Sequence, residues 1–252
     1  MRFGICVDAS KAGECQSLGF DYAECKINSL AAMAEDEFQS LCNQLDRLEI
    51  RVEAGSLLFP KTMDLNTVSD EELEEYLEKA FSRMERIGAE VAVFGSGKSR
   101  YVPEGAGFKS VFRRLVDQTR KAGEIASRHN VRIAIEPLNL SETNLINSLK
   151  EGAMLECAAS SDSVGLLADL YHMRKEGESM DEIIKCSPLI HAHIAVLEKR
   201  GFPVEMTDEV SSFFKALKSA GYDGRMSIEG KADDWKSASI ASLKTLRALD
   251  KE

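Results

Sequence analysis

LIHAHIAVLEKRGFP, residues 189–203, places two of the chain's four histidines one residue apart inside an apolar run. Successive side chains of an extended strand point to opposite faces, so Leu189, His191 and His193 share one face and Ile190, Ala192 and Ile194 the other. Two explanations fit a histidine-bearing face in such a run. Either the imidazoles are core groups satisfied by neighbouring carbonyls, or they belong to a site. The rest of the chain has to separate these readings.

Seven further apolar runs accompany LIHAHIA at 189–195: RFGICV at 2–7, DYAECKI at 21–27, IRVEA at 50–54, EVAVFG at 90–95, VRIAIE at 131–136, SVGLLAD at 163–169 and RMSIE at 225–229. The segments between them carry helical periodicity, most clearly at 70–87, where Leu73, Tyr76, Leu77, Ala80, Phe81, Met84 and Ile87 trace one face. Ser69 and Glu72 supply a capping box for that helix. Val210, Phe213, Phe214 and Leu217 repeat the pattern before Gly221, and Ile240, Leu243, Leu246 and Leu249 repeat it in the last helix. Strands alternating with helices imply parallel pairing through right-handed crossovers. Eight such units in 252 residues predict a single closed (β/α)8 TIM barrel over residues 1–252. The GSG at 95–97 lacks the third glycine of a dinucleotide fingerprint and reads as a tight loop.

Composition narrows the function. A net charge of -10 opposes both a nucleic-acid backbone and an anionic membrane surface. The six cysteines show no C-x-x-C spacing, and neither a signal-peptide pattern nor a membrane-spanning apolar run is present. The expectation is a cytoplasmic protein with reduced thiols and no nucleic-acid or membrane partner.

In a TIM barrel, function sits at the carboxyl ends of the strands. Pro137 biases Glu136 towards an extended conformation and cannot donate to a sheet ladder, which makes Glu136 the expected last residue of strand five. Strand six ends in Asp169, strand seven carries His193, and strand eight ends in Glu229. Parity places Glu136 with Ala134, Asp169 with Leu167, His193 with His191 and Glu229 with Ser227, while Ile133, Ile135, Met226 and Ile228 face the helices. Four consecutive strands therefore project ligand-type side chains into one end of the barrel. Three uncompensated carboxylates meeting there would repel one another unless a cation sits among them. Three carboxylate oxygens and one imidazole, with positions left open, suit Mn²⁺, Mg²⁺ or Co²⁺ better than a structural zinc.

EPLNLSETNLINS at 136–148, DLYH at 169–172, HAHIAVLEKRGFP at 191–203 and SIEG at 227–230 resemble the sugar phosphate isomerase/epimerase group of xylose isomerase-like TIM barrels. FDYAE at 20–24 and VFGSG at 93–97 extend the resemblance into the first half. The resemblance implies that Glu136, Asp169, His193 and Glu229 ligate a divalent metal, Mn²⁺ foremost and Zn²⁺ an alternative, with Glu136 and Glu229 doubling as the acid/base pair. It implies substrate contacts from Glu142, His172 and Arg200; Arg200 is assigned through its spacing to Pro203, with Lys199 the alternative. His191 is then expected deeper, behind His193 or in the packing. The implied activity is isomerisation or epimerisation of a small carbohydrate or its phosphate through a metal-stabilised enediolate, and a homo-oligomer is compatible with it.

Two other readings share the fold. An inosose-type dehydratase begins with the same proton abstraction and expels a β-hydroxyl, a step for which His172 is the candidate acid. A sugar-binding relative without turnover is the non-catalytic alternative, opposed by the retained Glu136 and Glu229. The apurinic endonuclease branch of the fold needs more histidines and a basic groove than four histidines and a net charge of -10 provide. Cys6 and Asp8 share a parity on strand one and are candidates for the pocket floor, and Trp235 either covers the pocket or packs the last helix.

Overall fold

Eight parallel strands close on themselves in chain order, and the last pairs with the first. The computed structural model describes residues 1–251. The strands are β1 (Arg2–Cys6), β2 (Tyr22–Lys26), β3 (Val52–Ser56), β4 (Val91–Phe94), β5 (Arg132–Ile135), β6 (Val164–Asp169), β7 (Leu189–Ile194) and β8 (Arg225–Ile228). Helices α1 (Ala12–Leu18), α2 (Ile27–Ala32), α3 (Glu35–Leu45), α4 (Asp70–Ile87) and α5 (Phe108–Arg128) surround the first half. Helices α6 (Leu149–Ala159), α7 (Leu170–Lys175), α8 (Asp181–Lys185), α9 (Asp208–Ser219) and α10 (Trp235–Asp250) surround the second. The expected (β/α)8 barrel is the observed one.

Local sequence explains the helix limits. At the start of α4 the Ser69 hydroxyl accepts the Glu72 amide at 3.2 Å, and the Glu72 carboxylate accepts the Ser69 amide at 3.1 Å. Gly88, at φ +82°, ends the same helix in the left-handed region that glycine adopts without strain. In α10, Leu243, Leu246 and Leu249 are buried as their spacing predicts, but Ile240 is 56% exposed. The buried face of that turn is instead carried by Ser239 and Ser242, and Ile240 lies on the outer face. Trp235 begins α10 and packs on the core, with the Lys11 ammonium 5.8 Å from its ring centre.

The apolar interior has two layers. Ile133, Ile135, Met226 and Ile228 pack between the strands and the helices, whereas Tyr22, Ala54, Val91, Val93, Ala134 and Leu167 fill the inside of the barrel. The parity read from the sequence is thus the parity of the fold. Gly4 leaves room for this filling, since a Cβ there would lie 2.4 Å from the Tyr22 ring. The amino-terminal end of the barrel is closed by ion pairs among Arg2, Glu53, Arg225 and Glu90, including Arg225 Nε to Glu53 Oε2 at 2.6 Å. The opposite end carries the acids.

Candidate active site

The strand register brings the predicted side chains together. Asp169, the last residue of β6, pairs with His193 in β7, and His193 pairs with Ser227 in β8. Glu136 and Glu229 each stand one residue beyond their strands, where Glu136 N donates to Phe94 O at 3.2 Å and Glu229 N to Ile194 O at 3.1 Å. Both extend the ladder, so the inward parity persists. One donor atom from each of Glu136, Asp169, His193 and Glu229 lies within 4.8 Å of the other three.

His193 is fully buried and presents a different nitrogen to each side. Its Nδ1 lies 3.0 Å from Glu136 Oε1, 3.2 Å from Glu229 Oε2 and 3.8 Å from Asp169 Oδ2. Its Nε2 is 3.0 Å from Glu24 Oε1. Glu24 is a second buried carboxylate layer, and the sequence reading did not select it. Its Oε2 accepts from Ser227 Oγ at 2.6 Å and is 2.8 Å from His191 Nε2, while Ser227 Oγ lies 2.7 Å from Tyr22 OH. His191 is therefore a core histidine that braces Glu24, lying behind His193 as expected.

A divalent cation fits this cluster on the protein's own terms. Bonds of roughly 2.0–2.6 Å allow ligand atoms to stand up to roughly 4–5 Å apart, and the four donor atoms all lie within 4.8 Å of one another. Asp169 Oδ1 accepts the His172 amide at 3.1 Å, but its Oδ2 is buried with no hydrogen-bond partner among the described residues. A buried carboxylate oxygen left in that state is costly without a cation. Glu24 holds a proton on Nε2 of His193, so a cation among the three carboxylates would displace only the Nδ1 proton and take that nitrogen as a ligand, as in carboxylate–histidine–metal arrangements.

The protein groups tune one another strongly. Burial and the neighbouring Glu229 charge push the Glu136 carboxyl up, despite its hydrogen bond to His193. Burial would also raise Glu229, but the hydrogen bond and charge of His193, with the charge of Arg200, pull it down to about 2. Burial would lower His193, yet the Glu24 charge and hydrogen bonds to Glu136, Glu229 and Glu24 hold it well above the usual imidazole range. Cys6, Glu24 and His193 form a second group of ligand-type atoms within 4.8 Å. Burial and the Glu24 charge push the Cys6 thiol well up, and a protonated thiol is a poor metal ligand. Asp8, also expected at the pocket floor, instead accepts from Lys26 Nζ at 3.1 Å in an exposed pair.

The three residues expected around a substrate lie beside the cluster. Arg200 donates from Nη2 to Glu229 Oε2 at 2.6 Å and from Nη1 to Glu142 Oε1 at 3.4 Å, and its guanidinium stacks 4.8 Å above the centre of the Tyr171 ring. Lys199 and Arg200 both have positive φ, 56° and 51°, so the turn after β7 carries backbone strain of the kind found at functional sites. The Lys199 side chain is exposed, and it is Arg200 that reaches Glu229 and Glu142. His172 Nδ1 accepts from the Asn139 amide at 3.0 Å, which leaves the proton of the neutral ring on Nε2. That Nε2 is buried and unpartnered among the described residues.

Two further residues hold Glu136 in place and were not selected from sequence. Arg100 is buried and donates to Gly95 O at 2.6 Å, Glu136 O at 2.5 Å and Leu145 O, tying the loops after β4 and β5 together. Gly95 gives the carboxylate its space, because a Cβ there would lie 2.1 Å from Glu136 Oε2. The only sequence signal for Glu24 was an acid between Ala23 and Cys25 in a strand with buried neighbours. Arg100 carried no such signal, since beyond Gly95 in its own loop its partners are backbone carbonyls of Glu136 and Leu145, far away in sequence.

The model of the xylose isomerase-like TIM barrel family matches residues 12–249. The chain belongs to that family. A probable ketose 3-epimerase of Synechocystis sp. is 29% identical over 118 residues, covering 46% of this chain and 41% of the relative. The 3-dehydro-D-guloside 4-epimerase of Escherichia coli is 25% identical over 139 residues, 54% of this chain and 53% of the relative. The chain thus spans about half the length of the curated relatives it matches, or less. Among solved structures, a D-allulose 3-epimerase from Methylomonas sp. in complex with D-allulose superposes with a TM-score of 0.85 over 100% of this chain and 96% of that one, at 19% identity. This member of the xylose isomerase-like family therefore shares its fold with the epimerase structure almost end to end. No helix among the described residues is long and apolar enough to cross a membrane.

Proposed function

We propose that the chain is a divalent-metal-dependent isomerase or epimerase of a small carbohydrate, with Glu136, Asp169, His193 and Glu229 as metal ligands. Mn²⁺ is the ion best matched to three carboxylate oxygens and one imidazole nitrogen. When bound, the ion would polarise a ketose carbonyl and the neighbouring hydroxyl and so acidify the C–H bond of the hydroxyl-bearing carbon. The observation that carries the reading is the pairing of Glu136 and Glu229 around His193 Nδ1, at 3.0 and 3.2 Å, in a pocket that also holds the unpartnered Asp169 oxygen. The epimerase names of the relatives agree with it.

The side chains divide the work. Glu136 and Glu229 come from strands three places apart in the ring, so they approach a substrate from different directions. One carboxylate oxygen takes the carbon-bound proton and the other returns it. Return to the opposite face of the same carbon inverts that centre; return to the neighbouring carbon moves the carbonyl. Arg200 fixes Glu229 Oε2, while Glu142 and the free Nε2–H of His172 are placed to hold substrate hydroxyls. The same Nε2–H supports dehydration as the second reading, because it is a buried donor available to a departing hydroxyl.

Incubation of the Mn²⁺-loaded protein in deuterated water with ketoses, ketose phosphates, hydroxypyruvate and inososes tests the proposal. Label beside the carbonyl in at least one compound supports it. An inverted centre then identifies an epimerase, a moved carbonyl an isomerase, and lost water a dehydratase. Absence of exchange across the panel, with metal and sugar bound, would replace the enzyme by a sugar-binding protein.

A further inference from the structure

A separate recess of about 190 Å³ opens beside the acid cluster, lined by Leu57, Phe59, Lys61, Ser96, Lys98 and Glu142 among others. It adjoins the cluster on two sides. Ser96 follows Gly95, which packs against Glu136 Oε2, and Glu142 is held by the same Arg200 that holds Glu229. The recess is tied together from within, since Ser96 Oγ accepts the Phe59 amide at 3.0 Å and joins the loops after β3 and β4.

The charges in this recess are unusual for the chain. With 42 acids against 32 basic side chains, the cations near the mouth are mostly paired: Lys26 with Asp8 at 3.1 Å, and Arg200 with Glu229 at 2.6 Å. Arg100 is buried on backbone carbonyls. Lys61 and Lys98 are exposed, line the recess, and form no ion pair among the described residues. The backbone at their level adds donors. Ser96 has φ +45°, the Ser99 and Arg100 amides turn back onto Ser96 O at 2.9 and 3.3 Å, and the intervening Gly97 and Lys98 amides meet no backbone acceptor. Two free ammonium groups beside two free amides form a concavity suited to an anion. Glu142, the acid of the recess, is drawn towards Arg200 at 3.4 Å, sharing that cation with Glu229 at 2.6 Å.

We propose that this recess is the subsite for an anionic end group, a phosphate or a carboxylate, on the end of the substrate remote from the reacting carbonyl. The inference rests on the proposed carbohydrate function and names the substrate class for it. Hydroxyls alone gain little from ammonium groups that water already solvates, whereas an anion gains charge-assisted hydrogen bonds.

Equilibrium titrations with D-ribulose, D-ribulose 5-phosphate and D-fructuronate test this by binding, without requiring turnover. The phosphate or the carboxylate is expected to bind about tenfold or more tighter than the neutral ketose, with an advantage that shrinks as salt is added. Whichever anion holds the advantage is the end group the recess takes. In the Lys61→Gln/Lys98→Gln double variant that ratio should fall to within about twofold of unity, while Lys215→Gln on α9 should retain it. Equal binding of neutral and anionic compounds by the unaltered protein would overturn the proposal. So would an anion preference that survives the double variant, because the preference would then reside at the acid cluster. Ketose exchange without any anion preference rejects this subsite alone; lysine-dependent anion preference without exchange on any compound rejects the catalytic reading and leaves the subsite.

Discussion

Glu24 Oε1 lies 3.0 Å from His193 Nε2 with both side chains fully buried, so this carboxylate keeps a proton on Nε2 and leaves Nδ1 to face the acid cluster. Glu24 is itself held by His191 and Ser227. Glu24→Gln removes the charge while keeping the shape, and such outer carboxylates typically contribute about 10–100-fold to metal affinity. Mn²⁺ titration followed by electron paramagnetic resonance should show a loss of that order with the fold retained by circular dichroism. Unchanged affinity would show that His193 is oriented by packing alone.

The two histidines of the HAH stretch should separate cleanly. His193→Ala removes a ligand and is expected to abolish metal retention after gel filtration. His191→Ala removes only a brace of Glu24 and should leave most of the metal in place. Equal loss in both folded variants would contradict the roles assigned to the two faces of His193.

Gly95→Ala is the smallest change expected to disturb the site. Its Cβ would stand 2.1 Å from Glu136 Oε2, so the carboxylate must move out of the cluster. The variant should fold, since the obstacle is a side-chain end rather than backbone, but its metal affinity and exchange rate should fall together. A displacement of about 1 Å is enough to cost around 10²-fold in rate. Wild-type metal affinity in Gly95→Ala would show that Glu136 is not a ligand.

Stability should depend on pH through a site far from the acids. His129 lies between Glu85, 2.9 Å from its Nδ1, and Glu78, 2.8 Å from its Nε2. Burial lowers its basicity, but the two carboxylate hydrogen bonds outweigh this and raise its pKa above the ordinary 6.5. A raised folded value means that the contribution is complete below the unfolded pKa and is lost as pH rises through the folded one. His129→Gln should therefore lower Tm at about pH 6 and change it little at about pH 9. An equal Tm difference at both pH values would show that His129 contributes by packing rather than by charge.

Strand ends and parity were legible because they depend on local periodicity. Glu136, Asp169, His193 and Glu229 could be placed at one mouth from alternation and from Pro137 alone. The limits of β3 were not, since the apolar run stops at Ala54 while the strand continues through Gly55 and Ser56. Those residues are weak strand formers; there the strand is continued by pairing, Gly55 with Cys25 and Ala92 and Ser56 with Lys26. Glu24 and Arg100 were hidden for a related reason. Each gains its meaning from partners more than 30 residues away, which no local pattern reports.

Anomalous diffraction from Mn²⁺-loaded crystals tests the central claim most directly. A single manganese peak is predicted, bonded at roughly 2.0–2.6 Å to Glu136, Asp169, Glu229 and His193 Nδ1. A peak held instead by Cys6, Glu24 and His193 Nε2, or these four side chains more than ~6 Å apart with manganese present, would contradict it.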